Sequence, residues 1–259
     1  MIRRQIDRRA LIGGITAGAG GLLLGGCDRL NTSPPVRDLL KGAETLHYRS
    51  QRLIAARHAL AREYGASDLS PIFRTNGNTL PVAPDYQALA ANGFADWRLK
   101  VDGLVARPLS LSLHDLGSLP QRAQITRHDC VEGWSAIGKW QGPQLGTVLR
   151  AAGLSSRANY IVFHCADSFP SGFSTTPYYE SIDLNDAFHP QTILALLMND
   201  RRLPVPHGAP IRLRVERQLG YKNAKFVMRI EARERLADLY GGKGGFWEDS
   251  ADYAWYAGI

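Results

Sequence analysis

Apolar and polar residues repeat along the chain with two different periods, and each period predicts a different kind of element. Within residues 36–64, leucines recur every seven positions with charged residues between them, which predicts an amphipathic helix. The favoured interpretation is a helix that packs on its own domain. A coiled coil is the alternative, but Ser50 and Arg57 interrupt the second apolar row that a coiled coil requires.

From residue 71 onward, the pattern is that of short strands and short helices. Alternation and short apolar runs bounded by turn residues predict strands at residues 97–102, 109–113, 160–163, 211–215 and 226–230. Helices are predicted from His114, at residues 145–152 and at residues 192–198. The two kinds of element do not alternate in regular βαβ units. The sequence therefore predicts an α+β fold with mixed sheets, short helices and an N-terminal helix.

The first 26 residues have the layout of an export signal. Four arginines, the last of them Arg9, precede an uncharged and glycine-rich run over residues 10–26. The pair Arg8-Arg9, followed by Ala-Leu-Ile, is typical of the twin-arginine signal, which directs the export of folded proteins. We therefore expect a periplasmic protein. A basic cytosolic N-terminus is the alternative.

The end of this signal, LGGC at residues 24–27, resembles a bacterial lipobox. In that interpretation Cys27 carries lipid and holds the protein at the inner membrane, since acyl chains anchor a protein firmly when at least two are present. The alternative is a small-residue cleavage site with an incidental cysteine. We accordingly divide the chain into a signal (residues 1–26), a linker with the N-terminal helix (residues 27–70) and a main domain (residues 71–259).

The charge of the chain excludes one class of partner. Its formal net charge is +7, and removal of residues 1–26 takes away four arginines and Asp7, which leaves +4. The remaining lysines and arginines form no dense run of the kind that binds nucleic acid. We therefore expect an anionic cofactor or substrate, and no nucleic acid.

Cys130 lies in the segment HDCVEGW, at residues 128–134, and is the main candidate for chemistry. If Cys27 is lipidated, Cys130 and Cys165 remain as an even pair, so a disulfide is one hypothesis for an exported protein. The histidines do not show the arrangement that activates a nucleophilic cysteine, and the Cys/His spacing typical of zinc is missing. The other hypothesis is a single thiolate bound to a metal whose remaining ligands belong to a cofactor.

Five segments, in consistent order over residues 71–255, resemble motifs of the sulfite oxidase family of molybdopterin-dependent oxidoreductases. They are FRTN at residues 73–76, CVEGW at residues 130–134, NDRRLP at residues 199–204, HGAPIR at residues 207–212 and GYKNAK at residues 220–225. The resemblance is greatest to the exported bacterial branch, which includes catalytic subunits of methionine sulfoxide reductase. It implies a sulfite-oxidase-type molybdopterin-binding fold for residues 71–259.

The resemblance also implies which residues form the site. Cys130 would bind molybdenum, and Cys165 would then be free, since a disulfide would occupy the metal ligand. Arg212, Lys222 and Lys225 match cationic positions of the motifs and would hold the phosphate of molybdopterin. The expected cofactor-binding residues are Asn76, Cys165, His207, Arg212, Gly220, Tyr221, Lys222 and Lys225.

The family further implies two-electron oxygen-atom transfer on a small S- or N-centred substrate. Sulfoxide reduction is favoured over sulfite oxidation, because sulfite oxidases place an arginine soon after the ligand cysteine and none occurs here before Lys139. Arg74 and Tyr253 are the expected catalytic residues on the substrate side. The family implies a membrane cytochrome b as the redox partner of a monomeric catalytic subunit. The non-enzymatic alternative is an exported lipoprotein that uses the fold as a binding module.

Overall fold

The computed structural model describes residues 33–54, 59–171 and 174–259 of the chain. The chain divides into two units, one up to residue 54 and one from residue 55 onward, and the predicted three-part division stays a prediction. The predicted signal and lipobox, with Cys27, lie outside the described residues. Within the described part of the chain, no helix is long and apolar enough to span a bilayer.

Helix α1 (Pro34–Ile54) forms almost all of the described part of the first unit. It begins with two prolines, which a first helical turn tolerates because the amide hydrogens there have no acceptor within the helix. Leu39, Leu46 and Leu53 follow one another at the predicted spacing and are exposed. The heptad spacing of the leucines is thus carried by a helix, as predicted for this stretch.

The predicted continuation of α1 to residue 64 is wrong, because residues 59–64 are not helical. They run along the edge of a sheet of the second unit, where Glu63 forms a bridge to Thr126. Tyr64 donates its amide to the carbonyl of Ile125 at 2.9 Å. Hydrogen bonds that a helix would have provided to this backbone come partly from the neighbouring strand and partly from the side chain of Gln191, whose Oε1 accepts from the Ala61 amide at 2.8 Å.

The described residues of the second unit form eleven strands, five α-helices and three short 3-10 helices. The strands are β1 (Leu99–Gly103), β2 (Leu109–Leu111), β3 (Gln121–Cys130), β4 (Trp134–Pro143), β5 (Tyr160–Ser171), β6 (Ser174–Asp183), β7 (Ile193–Ala195), β8 (Leu197–Met198), β9 (Arg201–Arg202), β10 (Arg212–Arg214) and β11 (Val227–Arg233). The α-helices are α2 (Pro84–Ala91), α3 (Leu113–Ser118), α4 (Leu145–Ala152), α5 (Leu184–Ala187) and α6 (Phe246–Ala251). The 3-10 helices are Ala66–Asp68, Val205–His207 and Gly220–Lys222. This mixture confirms the predicted α+β class.

Three sheets organise these strands. The largest has the order β2-β1-β11-β5-β6. In it, β1 and β11 are parallel, and the other three neighbouring pairs are antiparallel. A second sheet has the order β3-β4-β8-β9, and β7 pairs with β10 in the third. Each of the five predicted strands is present, although all five differ in length from the prediction.

The predicted helix at residues 192–198 is wrong, because this stretch forms β7 and β8. Ile193, Leu194 and Ala195 are all fully buried, and β7 pairs antiparallel with β10. A short apolar run that is buried on both faces has the same sequence pattern as a buried helix, so the pattern alone does not separate the two.

The main apolar core combines side chains of the largest sheet with those of α4. Leu145, Val148 and Leu149 of α4 are fully buried in it. This helix has the predicted bounds, and it ends at Gly153, which adopts a left-handed conformation with φ of 70°. Glycine is favoured there because it has no Cβ to clash in that conformation.

Candidate functional site

A cavity of about 160 Å³ is formed by several separate segments of the second unit. Its wall comes from residues 76–78, the turn after β3, strands β5 and β6, residues 221–225, and α6 with the residues that follow it. The predicted site residues in this wall are Asn76, Cys130, Tyr221, Lys225 and Tyr253. These residues are far apart in the sequence, so it is the fold that brings them together.

Cys130 is the last residue of β3 and lies at the cavity wall. The β3–β4 hairpin, which the hydrophobic pattern did not predict, places it there by pairing Cys130 with Trp134. Gly133 closes the turn with φ of 84°, and its amide donates to the Cys130 carbonyl at 3.0 Å. Cys130 and Cys165 are both free thiols. Burial raises the pKa of the Cys130 thiol, so the thiol is protonated at neutral pH unless a metal binds it.

Arg212, at the start of β10, is fully buried, and no carboxylate among the described residues pairs with it. Its guanidinium donates to the side-chain oxygen of Asn76 at 3.2 Å and to the carbonyl of His207 at 3.4 Å, while Nε has no partner. Burial and the charge of Arg214 lower the pKa of Arg212 to about 9, so it stays charged at neutral pH. A buried cation of this kind stabilises an anion bound next to it.

Lys225 is a second cation, and it lies directly in the cavity wall. Its ammonium donates to the backbone carbonyls of Asn76 at 2.6 Å and Pro206 at 3.0 Å, and also to that of Asn78. Burial and the charge of Arg212 lower the pKa of Lys225 to about 7. Because the two cations disfavour each other, an anion bound near both would relieve an existing repulsion.

His207 and Gly220 do not belong to the wall of this cavity, but both adjoin residues of the site. Burial lowers the pKa of His207 to about 4, so its ring is neutral at pH 7, and its Nδ1 has no partner. Gly220 approaches buried His128 so closely that a Cβ would lie 2.7 Å from Nε2 of that ring. Tyr221 is in the wall and donates its hydroxyl to the Ala254 carbonyl at 2.5 Å.

Lys222 has different surroundings from those predicted for a phosphate ligand. Its ammonium is fully buried and forms ion pairs with Glu180 and with Glu248, the latter at 2.7 Å. Burial alone would lower the pKa of Lys222, but the two carboxylates outweigh burial and raise that pKa. The charge of Lys222 is therefore balanced inside the protein, and the ion pairs join the Gly220–Lys222 turn to β6 and α6.

Three further predicted residues differ in their relation to the cavity. Tyr253 is in the wall, and its ring stacks on that of Trp247 with the centroids 5.8 Å apart. Cys165 is partly buried on β5, opposite Val227, and is not in the wall. Arg74 is exposed and is not in the wall either. The fold therefore brings Tyr253 to the cavity, but not Cys165 or Arg74.

Asp167 is the most prominent wall residue that the sequence-based prediction missed. It lies in β5, its side chain is only 4% exposed, and its Oδ1 has no hydrogen-bond partner. The signal that points to it is an aspartate within a mostly apolar strand, FHCADSF at residues 163–169, since unpaired acids are rarely buried without a reason. Other missed wall residues are Asn78, Glu132, Phe169, Tyr178 and Asn223.

A comparison with known protein families identifies the domain. Residues 86–240 match the family described as "Oxidoreductase molybdopterin binding domain". The chain belongs to this family. The matched region contains Cys130, Arg212 and Lys225, and it confirms the resemblance to the sulfite oxidase family that the five motifs predicted.

Two curated relatives and one solved structure are similar to this molybdopterin-binding domain. The chain is 43% identical over 164 residues to the "Putative protein-methionine-sulfoxide reductase subunit YedZ1" of Azospira oryzae, over 63% of this chain and 56% of that protein. It is 32% identical over 174 residues to the "Protein-methionine-sulfoxide reductase catalytic subunit MsrP" of Campylobacter jejuni, over 63% and 57%. The chain thus spans little more than half the length of these relatives. The sulfane dehydrogenase SoxCD of Paracoccus pantotrophus is similar with a TM-score of 0.48 and 23% identity, over 54% of this chain and 39% of that one.

The residues around the cavity fit a molybdenum–molybdopterin cofactor. Cys130 supplies the soft sulfur ligand that suits a redox-active metal. Arg212 and Lys225 supply positive charge that no carboxylate ion pair of the described residues neutralises. The buried polar atoms without partners next to the site include Arg212 Nε, His207 Nδ1 and His128 Nε2. Buried polar atoms normally have partners, so this set is what a polar ligand with a phosphate group and ring nitrogens would satisfy.

Proposed function

We propose that the chain is the catalytic domain of an exported, molybdenum-dependent oxidoreductase that reduces sulfoxides by two-electron oxygen-atom transfer. The observation that carries the proposal is a free and buried thiol, Cys130, beside two cations, Arg212 and Lys225, that form no ion pair with a carboxylate of the described residues. The printed names of the two curated relatives, both subunits of protein-methionine-sulfoxide reductase, support the substrate class.

The roles of these residues follow from their chemistry. The bound cofactor would supply the two-electron redox centre, with Cys130 as its protein ligand. Arg212 offers a planar fork of donors and Lys225 a point charge, and both would hold the anionic phosphate. Lys222 would stabilise the fold around the cavity without lining it, since its charge is already paired with two carboxylates.

The wall of the cavity favours a neutral substrate over sulfite. Trp247, Tyr253 and Tyr178 give it an aromatic surface on which the alkyl groups of a sulfoxide can pack. Among the described residues of this wall, Lys225 is the one lysine or arginine, whereas Glu132 and Asp167 are acidic. An anionic substrate would meet these carboxyls, and a neutral sulfoxide would not be repelled by them.

A side-by-side assay of purified holoenzyme tests the substrate class. We expect methionine sulfoxide, dimethyl sulfoxide or trimethylamine oxide with a reduced dye to give a higher kcat/KM than sulfite with an electron acceptor. A tenfold preference for sulfite, about 1.4 kcal/mol of transition-state stabilisation, would refute sulfoxide reduction and favour the alternative of sulfite oxidation.

The role of Cys130 is tested by Cys130→Ala. We expect a folded protein without activity and with less molybdenum, whereas the unaltered chain from a molybdenum-replete host should contain about one molybdenum and one molybdopterin per chain. Full activity of Cys130→Ala would contradict the metal ligand. Unaltered protein without molybdenum would favour the non-enzymatic binding module.

We propose further that the protein is exported by the twin-arginine pathway, carries lipid on Cys27 and, as a monomeric catalytic subunit, receives electrons from a membrane cytochrome b. The support is the Arg8-Arg9 pair and the LGGC segment at residues 24–27. Replacement of both arginines by lysine should retain the precursor in the cytoplasm, because the pathway recognises arginine itself and not only its charge. Mass spectrometry of the mature N-terminus tests the lipid, and an unmodified terminus beyond Cys27 would contradict it.

A further inference from the structure

Asp167 is an acidic residue of the cavity to which neither the fold nor the cofactor motifs give a role. It shares the wall with Cys130, and its side chain is only 4% exposed. Its Oδ2 accepts a long hydrogen bond of 3.3 Å from the side-chain Nδ2 of Asn78, and its Oδ1 has no partner. A carboxylate buried in this way is costly, so burial favours the protonated form, whose hydroxyl needs an acceptor.

Titratable groups on several elements surround this carboxyl. They are Tyr86 of α2, Cys165 of β5, Tyr178 of β6 and Lys225, together with Cys130 and Glu132 elsewhere in the cavity wall. Lys225 favours the ionised form, but its ammonium is bonded to three backbone carbonyls rather than to Asp167. Burial outweighs these effects and raises the pKa of Asp167 to about 6. The carboxyl therefore exchanges its proton near neutral pH, as a general acid must.

We propose that Asp167 supplies a proton to the oxygen atom that is removed from the substrate. The inference rests on the proposed sulfoxide reduction, in which a sulfoxide, two electrons and two protons give a sulfide and water. The sulfur–oxygen bond breaks and its electron pair stays on sulfur, while two equivalents of a one-electron donor, here a reduced dye, supply the two electrons that pass to the oxygen. One proton comes from the carboxyl of Asp167 and the other from solvent, and a further solvent proton restores the carboxyl.

The first test is the pH dependence of methionine sulfoxide reduction by the holoenzyme with a reduced dye. In the unaltered enzyme, kcat should fall as pH rises through about 6, because the protonated form of Asp167 is lost. Asp167→Asn should lower kcat at about pH 5 by roughly 10²- to 10⁴-fold and abolish this fall. Asp167→Glu should retain a fall, and Glu132→Gln, which removes the other carboxyl of the wall, should retain it at the same pH.

The second test needs no turnover. Infrared difference spectra of the holoenzyme between about pH 5 and pH 8 should show a protonated carboxyl that titrates near 6 and is missing in Asp167→Asn. The molybdenum and molybdopterin content of Asp167→Asn should equal that of the unaltered enzyme. A variant that has lost its cofactor would overturn the proposal, because Asp167 would then bind the cofactor instead.

The remaining outcomes separate the two proposals. An unchanged pH profile in Asp167→Asn, or its loss in Glu132→Gln, would overturn the assignment of the acid while sulfoxide reduction stands. An unaltered holoenzyme that reduces none of the sulfoxides would overturn the proposed function and, with it, this inference.

Discussion

Replacement of Lys222 by methionine tests whether this lysine stabilises the fold or binds the cofactor. Lys222, Glu180 and Glu248 are all fully buried, and Oε2 of each glutamate has no hydrogen-bond partner. Two carboxyls therefore share one ammonium. Burial and the charge of Glu248 raise the pKa of Glu180 well above its ordinary value, and the ammonium of Lys222 opposes that rise.

The expected size of the effect follows from the burial of this cluster. Methionine keeps much of the aliphatic bulk of Lys222 but removes the charge, and loss of one partner from a buried ion pair costs about 3–5 kcal/mol. A carboxyl whose pKa is raised in the folded state destabilises that state as pH rises through the raised pKa, since the unfolded chain ionises first. The loss should therefore be greatest at about pH 8 and smaller at about pH 5, with a slope of up to about 1.4 kcal/mol per pH unit for each carboxyl.

The assay is urea unfolding of the unaltered protein and of Lys222→Met at both pH values. The control variant combines Lys222→Met with Glu180→Gln and Glu248→Gln, which removes all three charges. It should recover most of the stability at about pH 8 and show little dependence on pH. A loss below about 1 kcal/mol at pH 8, or an equal loss at both pH values, would refute the reasoning. A stable Lys222→Met protein that contains no molybdopterin would indicate instead that Lys222 binds the cofactor.

Two further substitutions test how the site is supported. Gly220→Ala should lower the free energy of unfolding by about 1–3 kcal/mol and reduce the molybdopterin content, because its Cβ would lie 2.7 Å from His128 Nε2. Gly117→Ala is the matched control, since no atom lies within 4 Å of its Cβ position, and an equal effect of both would contradict the explanation. Tyr86→Phe removes a buried hydrogen bond of 2.7 Å to the Ala209 carbonyl and should lower the free energy of unfolding by about 1–3 kcal/mol in chemical denaturation. An unchanged midpoint of unfolding would count against that bond.

Periodicity predicted those elements whose two faces differ. Helix α4 has an apolar side that enters the core and a glycine that ends it, so its bounds were predictable from local sequence alone. The stretch at residues 192–198 is apolar throughout, and its pairing with β10 made it a strand. The β3–β4 hairpin was missed because the sequence of β3 is largely polar, although Gln124, Thr126 and His128 are buried.

The sequence by itself determined the family and its central thiol. Cys130 and the motif at residues 207–212 have residue types and an order that cofactor chemistry requires, and neither depends on knowing which side chains are neighbours. The match to the molybdopterin-binding family confirmed the family, while Cys130 as the metal ligand stays a prediction. Whether each predicted residue contacts the cofactor stays a prediction.

Only the tertiary structure decided which groups pair with the charged residues of the site. Lys222 matched a cationic motif position, but Glu180 and Glu248, which neutralise it, come from β6 and α6 and no local pattern links them to it. Asp167 matched no motif, yet the fold places it in the wall with Cys130 and leaves one of its oxygens without a partner. The physical reason is that the free energy of a buried charge depends on the groups around it in space, and a one-dimensional pattern does not contain those distances.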